Sequence, residues 1–537
     1  MVVHFSCFLC VYSQLFSANN NHKKWGVHVW NQVYDPFNNI WLSALVAAFP
    51  ILLFVVLLTV LKVKGHIAGI ITAIVSGLVA ILVYGMPVSK TVWTGIYGIL
   101  AGLYPVASIV VAAIFLYKLT VKTGKFDIIK NSITSMSPDK RIQVIIVAYC
   151  FGAFLEGAAG FGAPVAITAI ILVGLGFDPI KAAGLCLVAN IAGGSFGAMG
   201  IPVITPSQLT GLDPLEVATR TTYIIPLISF ILPFLLVFLV DGIKGIKETF
   251  KTILVAALTF SVVQWVTLNT IGATLVDILA ATITLVVLYI YLKPKQEESV
   301  NTLVKAWSPF IFLTLLVIVF SKVTFESLII KFPIPTVDGL INKIPPVVSD
   351  TTPFGASFNL DLLSSTTSAI VYASIITILI FKIKGSVIKS AFIETIKELV
   401  IPVTTICAVL AFAYICNYSG MSSTLGLAFA STGALFPLFS PVLGWIGVFL
   451  TGSVVNSGSL FAPLQTITAG QLGIIPEGMV AANVMGGDVA KMISPQSIAV
   501  AAAAVGLVGR ESEIFKYTIK ISLIFLVFVG IINLIIY

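Results

Sequence analysis

Charged residues are scarce in this sequence. Only 10% of its 537 residues are Asp, Glu, Lys or Arg, 58% are hydrophobic, and the mean hydropathy is +1.08. Soluble proteins carry about 25% charged residues, so the composition excludes a soluble multidomain protein. Apolar runs of about 20 residues, the length that spans a bilayer, recur along nearly the whole chain. Because these runs are continuous rather than alternating, they predict an all-α polytopic membrane protein and not a barrel.

Histidine and cysteine are also sparse. The four histidines all lie outside the apolar runs, which excludes a histidine proton relay in the membrane. The six cysteines show no metal-ligand spacing, and no H-E-x-x-H motif, P-loop or pair of intramembrane aspartates is present. The sequence therefore predicts no enzyme, no metal and no cofactor. An ion gradient is the expected energy source.

Hydropathy and helix breakers predict about 12 full transmembrane helices. Two further apolar segments, 142–176 and 438–475, each carry a glycine-rich break and are predicted to be re-entrant hairpins that return to their starting side. The predicted full spans lie near 41–61, 67–84, 96–117, 182–204, 222–240, 252–270, 273–292, 306–325, 366–381, 399–415, 480–505 and 519–537.

The basic residues predict the orientation of these spans. With the N-terminus outside the cell, 22 of the 30 Lys and Arg fall on the cytoplasmic side, only seven fall outside, and Lys491 lies within a span. This bias follows the positive-inside rule. The formal net charge of +8 is therefore interpreted as a topology signal and not as a nucleic-acid surface.

The chain contains an internal repeat. The segment "NIAGGSFGAMGIP" at 190–202 matches "NVMGGDVAKMISP" at 483–495 with a constant offset of 293 residues, and "FLEG" at 154 matches "FLTG" at 449. Each copy holds five spans and one hairpin, so the copies are predicted to have opposite orientations, as in inverted-repeat transporters. The resulting units are a poorly defined extension (1–29), a first repeat (30–245), two connecting helices with a cytoplasmic linker (246–305) and a second repeat (306–537).

Glycines at the hairpin tips and at two broken helices predict the transport site. The tips are Glu156–Ala163 and Ser453–Ser459, and the predicted breaks are Asn190–Gly194 and Asn483–Asp488. A break in a membrane helix leaves backbone N–H and C=O groups without partners, and these persist only where protein or a water-filled cavity receives them. Helix N-termini that point into such a cavity favour an anion. The alternative is that the glycines serve helix packing. The predicted substrate-binding residues are Gly157, Gly160, Gly162, Asn190, Gly193, Gly194, Ser453, Asn456, Ser457, Asn483, Gly486 and Gly487.

Ionisable residues inside the membrane are candidates for proton coupling. Glu156 at the first hairpin tip and Asp488 beside the second break are the two candidates. Two structural roles compete: Glu156 as the cap of a half-helix, and Asp488 as the buried ion-pair partner of Lys491. Asp277 lies near the end of a predicted span and is interpreted as an interfacial anchor.

Long motifs give the chain a specific resemblance. "FLEGAAGFGAPVAIT" (154–168), "AGLCLVANIAGG" (183–194) and "KMISPQSIAVAAAAVGLVGRESEIFKYTIK" (491–520) resemble the bacterial and archaeal L-lactate permease family, and the likeness covers about 30–537. The resemblance implies import of 2-hydroxymonocarboxylates together with protons. Val454 and Val455 occupy the first two places of a run that is commonly acidic or polar in the second tip of family members, and Asp488 stands where the family usually has an uncharged residue. The hypothesis is that Asp488 replaces the missing tip carboxylate.

The resulting expectation is a multi-pass transporter of the plasma membrane that imports L-lactate, glycolate or D-lactate by proton symport. Its partners are the anionic substrate, protons and lipid, without nucleic acid, and assembly into a homo-oligomer stays open. The alternative is a carrier on the same scaffold for another organic anion, or an ion antiporter. A membrane-embedded enzyme, a channel and a structural protein are disfavoured.

Overall fold

The structure is a computed structural model that describes residues 28–160, 162–294, 299–320, 323, 325 and 328–537. The predicted N-terminal extension lies outside the described residues except for its last two positions. The first repeat and the connecting region contain α1 (Ile40–Thr59), α2 (Gly65–Leu82), α3 (Val88–Ala101), α4 (Ser108–Lys122), α5 (Lys125–Thr134), α6 (Lys140–Val144), α7 (Gly152–Ala158), α8 (Ala163–Gly174), α9 (Pro179–Ala189), α10 (Gly197–Thr210), α11 (Pro214–Thr221), α12 (Ile225–Thr270) and α13 (Val276–Leu292).

The remainder of the chain is also mainly helical. Its helices are α14 (Val300–Phe320), α15 (Thr366–Ile380), α16 (Gly385–Ser419), α17 (Met421–Phe429), α18 (Phe436–Thr451), α19 (Val454–Leu472), α20 (Pro476–Lys491), α21 (Pro495–Ala504) and α22 (Glu511–Ile536). Shorter turns join some of these helices: π-helical segments at Gly102–Ala107 and Ile145–Phe151, and 3₁₀ turns at Asn190–Ala192, Gly194–Phe196, Ala273–Leu275 and Ala430–Leu435.

The helices confirm the polytopic all-α class. Among the described residues, ten helices are long and apolar enough to cross a membrane, or up to eleven if a bent pair counts as one span. This number is below the predicted twelve. The predicted span 366–381 corresponds to α15, whose 15 residues are shorter than a full span. The predicted spans 222–240 and 252–270 lie on the two sides of Asp241 and Gly242, whose backbone angles within α12 are not helical, and the count of ten takes both sides together as one helix.

Three predicted full spans are interrupted. The span predicted at 96–117 is broken at Tyr104, whose φ of −142° and ψ of 127° are not helical. The span predicted at 182–204 divides into α9 and α10, which meet at a bend of 57°. The span predicted at 480–505 ends as α20 at Lys491, and α21 begins separately at Pro495. Pro495 has no N–H to donate and fixes its own backbone, so it favours a helix start at this point over a continuous helix.

Both predicted hairpin segments form two helical arms around a short tip. In the first, α7 ends at Ala158 and α8 begins at Ala163, and a Cβ on Gly152 of the first arm would lie 3.7 Å from Thr168 of the second. In the second, Ser457 of α19 donates its hydroxyl to Gly444 O of α18 at 3.0 Å. In each case the second arm therefore runs back along the first.

Among the described residues, five short strands lie outside the helices, and the sequence did not predict them. They are β1 (Trp30–Asn31), β2 (Ile330–Pro333), β3 (Ile341–Lys343), β4 (Thr352–Pro353) and β5 (Ser357–Leu360). Strand β3 pairs with β1 in parallel and with β4 in antiparallel orientation, and β2 pairs with β5. Gln32, just after β1, donates its Nε2 to the carbonyl oxygens of Asn417 and Tyr418, each at 2.9 Å. The segment before the first helix is thereby fixed to the end of α16.

Candidate functional site

The tips of the two hairpins are built on left-handed glycines. In the first tip Gly160 and Gly162 have φ of 63° and 85°, and in the second Gly452 has φ of 71°. Such conformations are open to glycine at little cost. Ser453 then caps α19, because its hydroxyl accepts the N–H of Asn456 at 3.3 Å. Each tip therefore ends one helix and starts another within a few residues.

Both tips line one cavity. Its volume is about 310 Å³, within the range of small-ligand sites. The remaining walls come from the break between α9 and α10, from residues 401–406 of α16, and from the junction of α20 and α21. The lining includes six of the predicted site residues: Glu156, Gly160, Gly162, Gly194, Ser453 and Asn456.

Helices α8, α19 and α21 begin at this cavity, and the first residues of α2 and α10, Gly65 and Gly197, also belong to its lining. The residues at or beside their starts, Gly162 for α8, Val454 for α19 and Gln496 for α21, all belong to the lining. The first turn of a helix has N–H groups without intrahelical partners and carries partial positive charge. The converging starts therefore form an environment that favours an anion.

Lys491 supplies the positive charge of the site. It is the one Lys or Arg in the lining formed by the described residues, and it closes the C-terminal end of α20. Its Nζ lies 2.5 Å from Oε1 of Glu156, whose Oε2 accepts the side-chain amide of Asn190 at 2.9 Å. The prediction that Lys491 pairs with Asp488 was wrong: within the described chain its ion pair is with Glu156. The Glu156 side chain is 2% exposed and that of Lys491 is 14% exposed.

Asp488 is bound from the first repeat instead. Its Oδ2 accepts the backbone N–H of Ser195 at 2.9 Å and the Ser195 hydroxyl at 2.7 Å. Gly194 lies so close that a Cβ there would overlap Oδ1 of Asp488. The glycine therefore makes room for a carboxylate from the other half of the chain.

A third buried carboxylate, Asp277, was missed by the sequence reasoning. It belongs to the first turn of α13, its side chain is buried, and neither carboxylate oxygen has a hydrogen-bond partner among the described residues. A Cβ on Gly193 would lie 3.0 Å from its Oδ2. The interpretation of Asp277 as an interfacial anchor was wrong. The available signal was an acidic residue in an otherwise apolar run, which in a membrane points to function.

The first predicted break, at Asn190–Gly194, is present in the structure. Two 3₁₀ turns replace the helix there, and Ala198, Met199 and Gly200 follow with positive φ values of 47°, 63° and 79°. Left-handed conformations cost about 1–2 kcal/mol per non-glycine residue. The three buried carboxylates all lie against this segment, at Gly193, Gly194 and Gly197.

The second predicted break, at Asn483–Asp488, is absent, because α20 is continuous through it. Gly486 faces the backbone carbonyl of Pro441 so closely that a Cβ would overlap it, and Gly487 meets Val448 of the same neighbouring helix, α18. These glycines serve helix packing, the alternative that the sequence left open. The side-chain amide of Asn483 likewise binds another side chain of the protein, donating to Gln465 at 2.9 Å.

The predicted substrate-binding residues thus separate by position. Those of the tips and Gly194 line the cavity, whereas Gly157, Asn190 and Gly193 contact the buried carboxylates behind it. The residues inside the second hairpin and its packing helix are Ser457, Asn483, Gly486 and Gly487.

Comparison with known proteins finds a family that matches nearly the whole chain. The family model described as L-lactate permease matches residues 43–537. An L-lactate permease of Salmonella typhimurium is 47% identical over 94% of this chain and 98% of its own length. The glycolate permease GlcA of Escherichia coli K12 is 47% identical over 94% of this chain and 97% of its own length. An L-lactate permease of Bacillus subtilis is 41% identical over 94% and 98% of the two chains.

Proposed function

The chain belongs to the L-lactate permease family, and from this premise we propose that it imports L-lactate, glycolate or a related 2-hydroxymonocarboxylate by proton symport. It is a multi-pass membrane protein of a permease family. The observation that carries the proposal is the anion-favouring cavity, with Lys491 and the starts of α8, α19 and α21 in its wall. A volume of about 310 Å³ suits a solute of this size.

Lys491 is the proposed partner of the substrate carboxylate. An ammonium group has three donors, and its ion pair with Glu156 leaves donors free toward the cavity, to which Lys491 is 14% exposed. The unbonded N–H groups at the start of α19 lie in the same wall. A carboxylate placed between them would make charge-assisted hydrogen bonds, which are about twice as strong as neutral ones.

The remaining lining can distinguish a hydroxy acid from a plain carboxylic acid. Asn456, Ser453 and Gln496 supply polar groups for the 2-hydroxyl, and Val454 and Val455 supply apolar contact for a short alkyl group. The valines that depart from the family pattern therefore stand where a methyl group of lactate would need a neighbour. Glycolate lacks that methyl group, so the valines bear on preference between the two substrates.

We also propose the predicted topology: about 12 spans with two re-entrant hairpins, inverted repeats, and an outward N-terminus in the plasma membrane. The contact between Ser195 and Asp488 supports the repeats. These residues occupy equivalent positions of the two copies, 293 residues apart, and bind each other directly. Equivalent positions meet in this way where they lie near a pseudo-two-fold axis.

The test is uptake of labelled L-lactate into proteoliposomes of the purified protein. An inward proton gradient is imposed and then collapsed with a protonophore, and protein-free liposomes are the control. We expect accumulation that depends on the gradient, reaches about tenfold per imposed pH unit for one proton per substrate, and is competed by unlabelled glycolate. An absence of L-lactate and glycolate movement under both conditions would overturn the proposal.

A further inference from the structure

We propose that Asp277 binds the transported proton. This inference rests on the proposed proton symport and names its coupling residue. Asp277 is 1% exposed and lies behind the cavity wall, on α13, one of the two helices that connect the repeats. It therefore belongs to neither copy of the repeat, although it contacts the break in the first.

The hydrogen-bond pattern distinguishes Asp277 from the other two carboxylates. Glu156 has both oxygens occupied, by Lys491 and Asn190, and Asp488 has one oxygen occupied twice by Ser195. Asp277 has no donor on either oxygen among the described residues. Burying an ionised carboxylate that accepts no hydrogen bond costs far more free energy than burying a neutral carboxylic acid. Proton uptake at Asp277 also breaks no existing bond, whereas at Glu156 it would compete with an ion pair.

The charged groups around Asp277 link substrate binding to proton binding. Glu156 faces it from α7, Asp488 and Lys491 face it from α20, and all three act on its charge. From the π-helical segment packed on the same helix, Tyr149 donates its hydroxyl to Ser229 O. Three carboxylates and one lysine carry an excess of negative charge in a buried space. A substrate carboxylate bound to Lys491 adds to that negative charge. Substrate binding therefore favours protonation of Asp277, which has no donor to stabilise its charge.

The packing connects a proton bound at Asp277 to the cavity. Asp277 contacts Gly193 and Gly157, so it touches the first break and the arm that carries Glu156. The next positions along the break, Gly194 and Gly197, line the cavity. A change of charge at Asp277 therefore acts on backbone that the substrate contacts, through a single layer of residues.

The experiment compares three isosteric variants, Asp277→Asn, Asp488→Asn and Glu156→Gln, in two assays. One is exchange of labelled for unlabelled lactate at equal pH on both sides, and the other is accumulation driven by a pH difference. Asp277→Asn mimics the protonated carrier, so we expect exchange within about threefold of wild type and no gradient-driven accumulation. The control is Thr284→Val on the same helix, which loses only a hydrogen bond to Ala280 O and should retain both activities.

Two results would overturn the assignment: accumulation by Asp277→Asn at the wild-type level, or loss of exchange together with accumulation. Loss of accumulation confined to Asp488→Asn would transfer the role to Asp488. A second measurement guards against a folding defect and needs no transport. The infrared carboxylic-acid band of the wild-type protein should disappear in Asp277→Asn and persist in the other two variants. If the wild type moved no lactate, the proposed function would fail, and this band would still decide whether Asp277 holds a proton.

Discussion

The segments 190–202 and 483–495 align residue for residue, yet they fold differently. The first breaks into 3₁₀ turns and a left-handed turn, and the second remains helical up to Lys491. Both contain a Gly-Gly pair after an asparagine. In the first pair the missing side chains admit carboxylates, and in the second they admit the backbone of a neighbouring helix. The same pair of glycines therefore makes room for carboxylate side chains in the first segment and for the backbone of a neighbouring helix in the second.

The difference shows that a glycine pair permits a break but does not cause one. At 193–194 the break is accompanied by an acceptor, Asp488, which binds the free backbone N–H of Ser195. At 486–487 the neighbour is the backbone of α18 around Pro441, which packs against the glycines while α20 stays helical. Backbone groups leave a membrane helix only where another partner receives them.

The largest expected effect comes from the position where the second segment carries a charge and the first does not. Lys491 is equivalent to Ala198. Lys491→Gln removes the cation of the cavity and leaves Glu156 buried without its ion pair, so we expect lactate uptake to fall by roughly 10- to 100-fold, with a stability loss of about 3–5 kcal/mol. Uptake by proteoliposomes and thermal unfolding in detergent measure the two effects.

The control for this prediction is Lys520→Gln, because Lys520 is an exposed lysine on α22. It should leave both uptake and unfolding unchanged. Uptake by Lys491→Gln within about twofold of wild type would show that the carboxylate is bound without this lysine, since loss of a hydrogen-bonded charge is worth about 1.5–3 kcal/mol.

The next effect concerns the contact between the two segments. In a double-mutant cycle of Ser195→Ala and Asp488→Asn, we expect a coupling free energy of about 1.5–3 kcal/mol, because the hydroxyl donates to a buried charged acceptor. The free energy of unfolding of the four proteins in denaturant measures it. Additive single effects would show that the two segments do not stabilise each other through this pair.

The two glycine pairs should respond differently to a methyl group. Gly486→Ala would overlap Pro441 O, so we expect a stability loss of about 1–3 kcal/mol from overpacking. Gly193→Ala would press on the Asp277 carboxylate instead, and we expect it to lower gradient-driven uptake with a smaller change in unfolding temperature. Equal thermal shifts for the two variants would contradict this distinction.

The smallest effect is expected at the left-handed turn. Ala198 has φ of 47°, so Ala198→Gly relieves local strain while increasing the freedom of the unfolded chain. We expect a net gain of about 0.5–1 kcal/mol in the free energy of unfolding. A loss of stability would indicate that the Ala198 methyl group, which packs near Gly160, contributes more than its strain costs.

Sequence reasoning predicted what depends on composition and local breaks. The polytopic class, the two-armed segments with tips at Gly160–Gly162 and at Gly452, and the break after Asn190 follow from apolar length and glycine placement. The lysine was recognised as an intramembrane charge, although its partner was not. Features of this kind are determined within one stretch of chain.

The errors concern which distant stretches meet. Whether Lys491 reaches Asp488 three positions earlier or Glu156 in the other repeat depends on how α20 packs against the first tip. Asp277 resembled an anchor because its position along the chain is near a span end, whereas its burial comes from contact with Gly157 and Gly193. The short strands were missed because β1 and β4 have only two residues each.

The pairing of β1 with β3 has a consequence for biosynthesis. Asn31 precedes the first helix, and its partner Asn342 is 311 positions later. At the usual rate of about 5–20 residues per second, the early strand leaves the ribosome roughly 15–60 s before its partner exists. The first helices must therefore enter the membrane with this edge unpaired. Closing the small sheet cannot precede the synthesis of β4, which ends at Pro353 of the 537-residue chain.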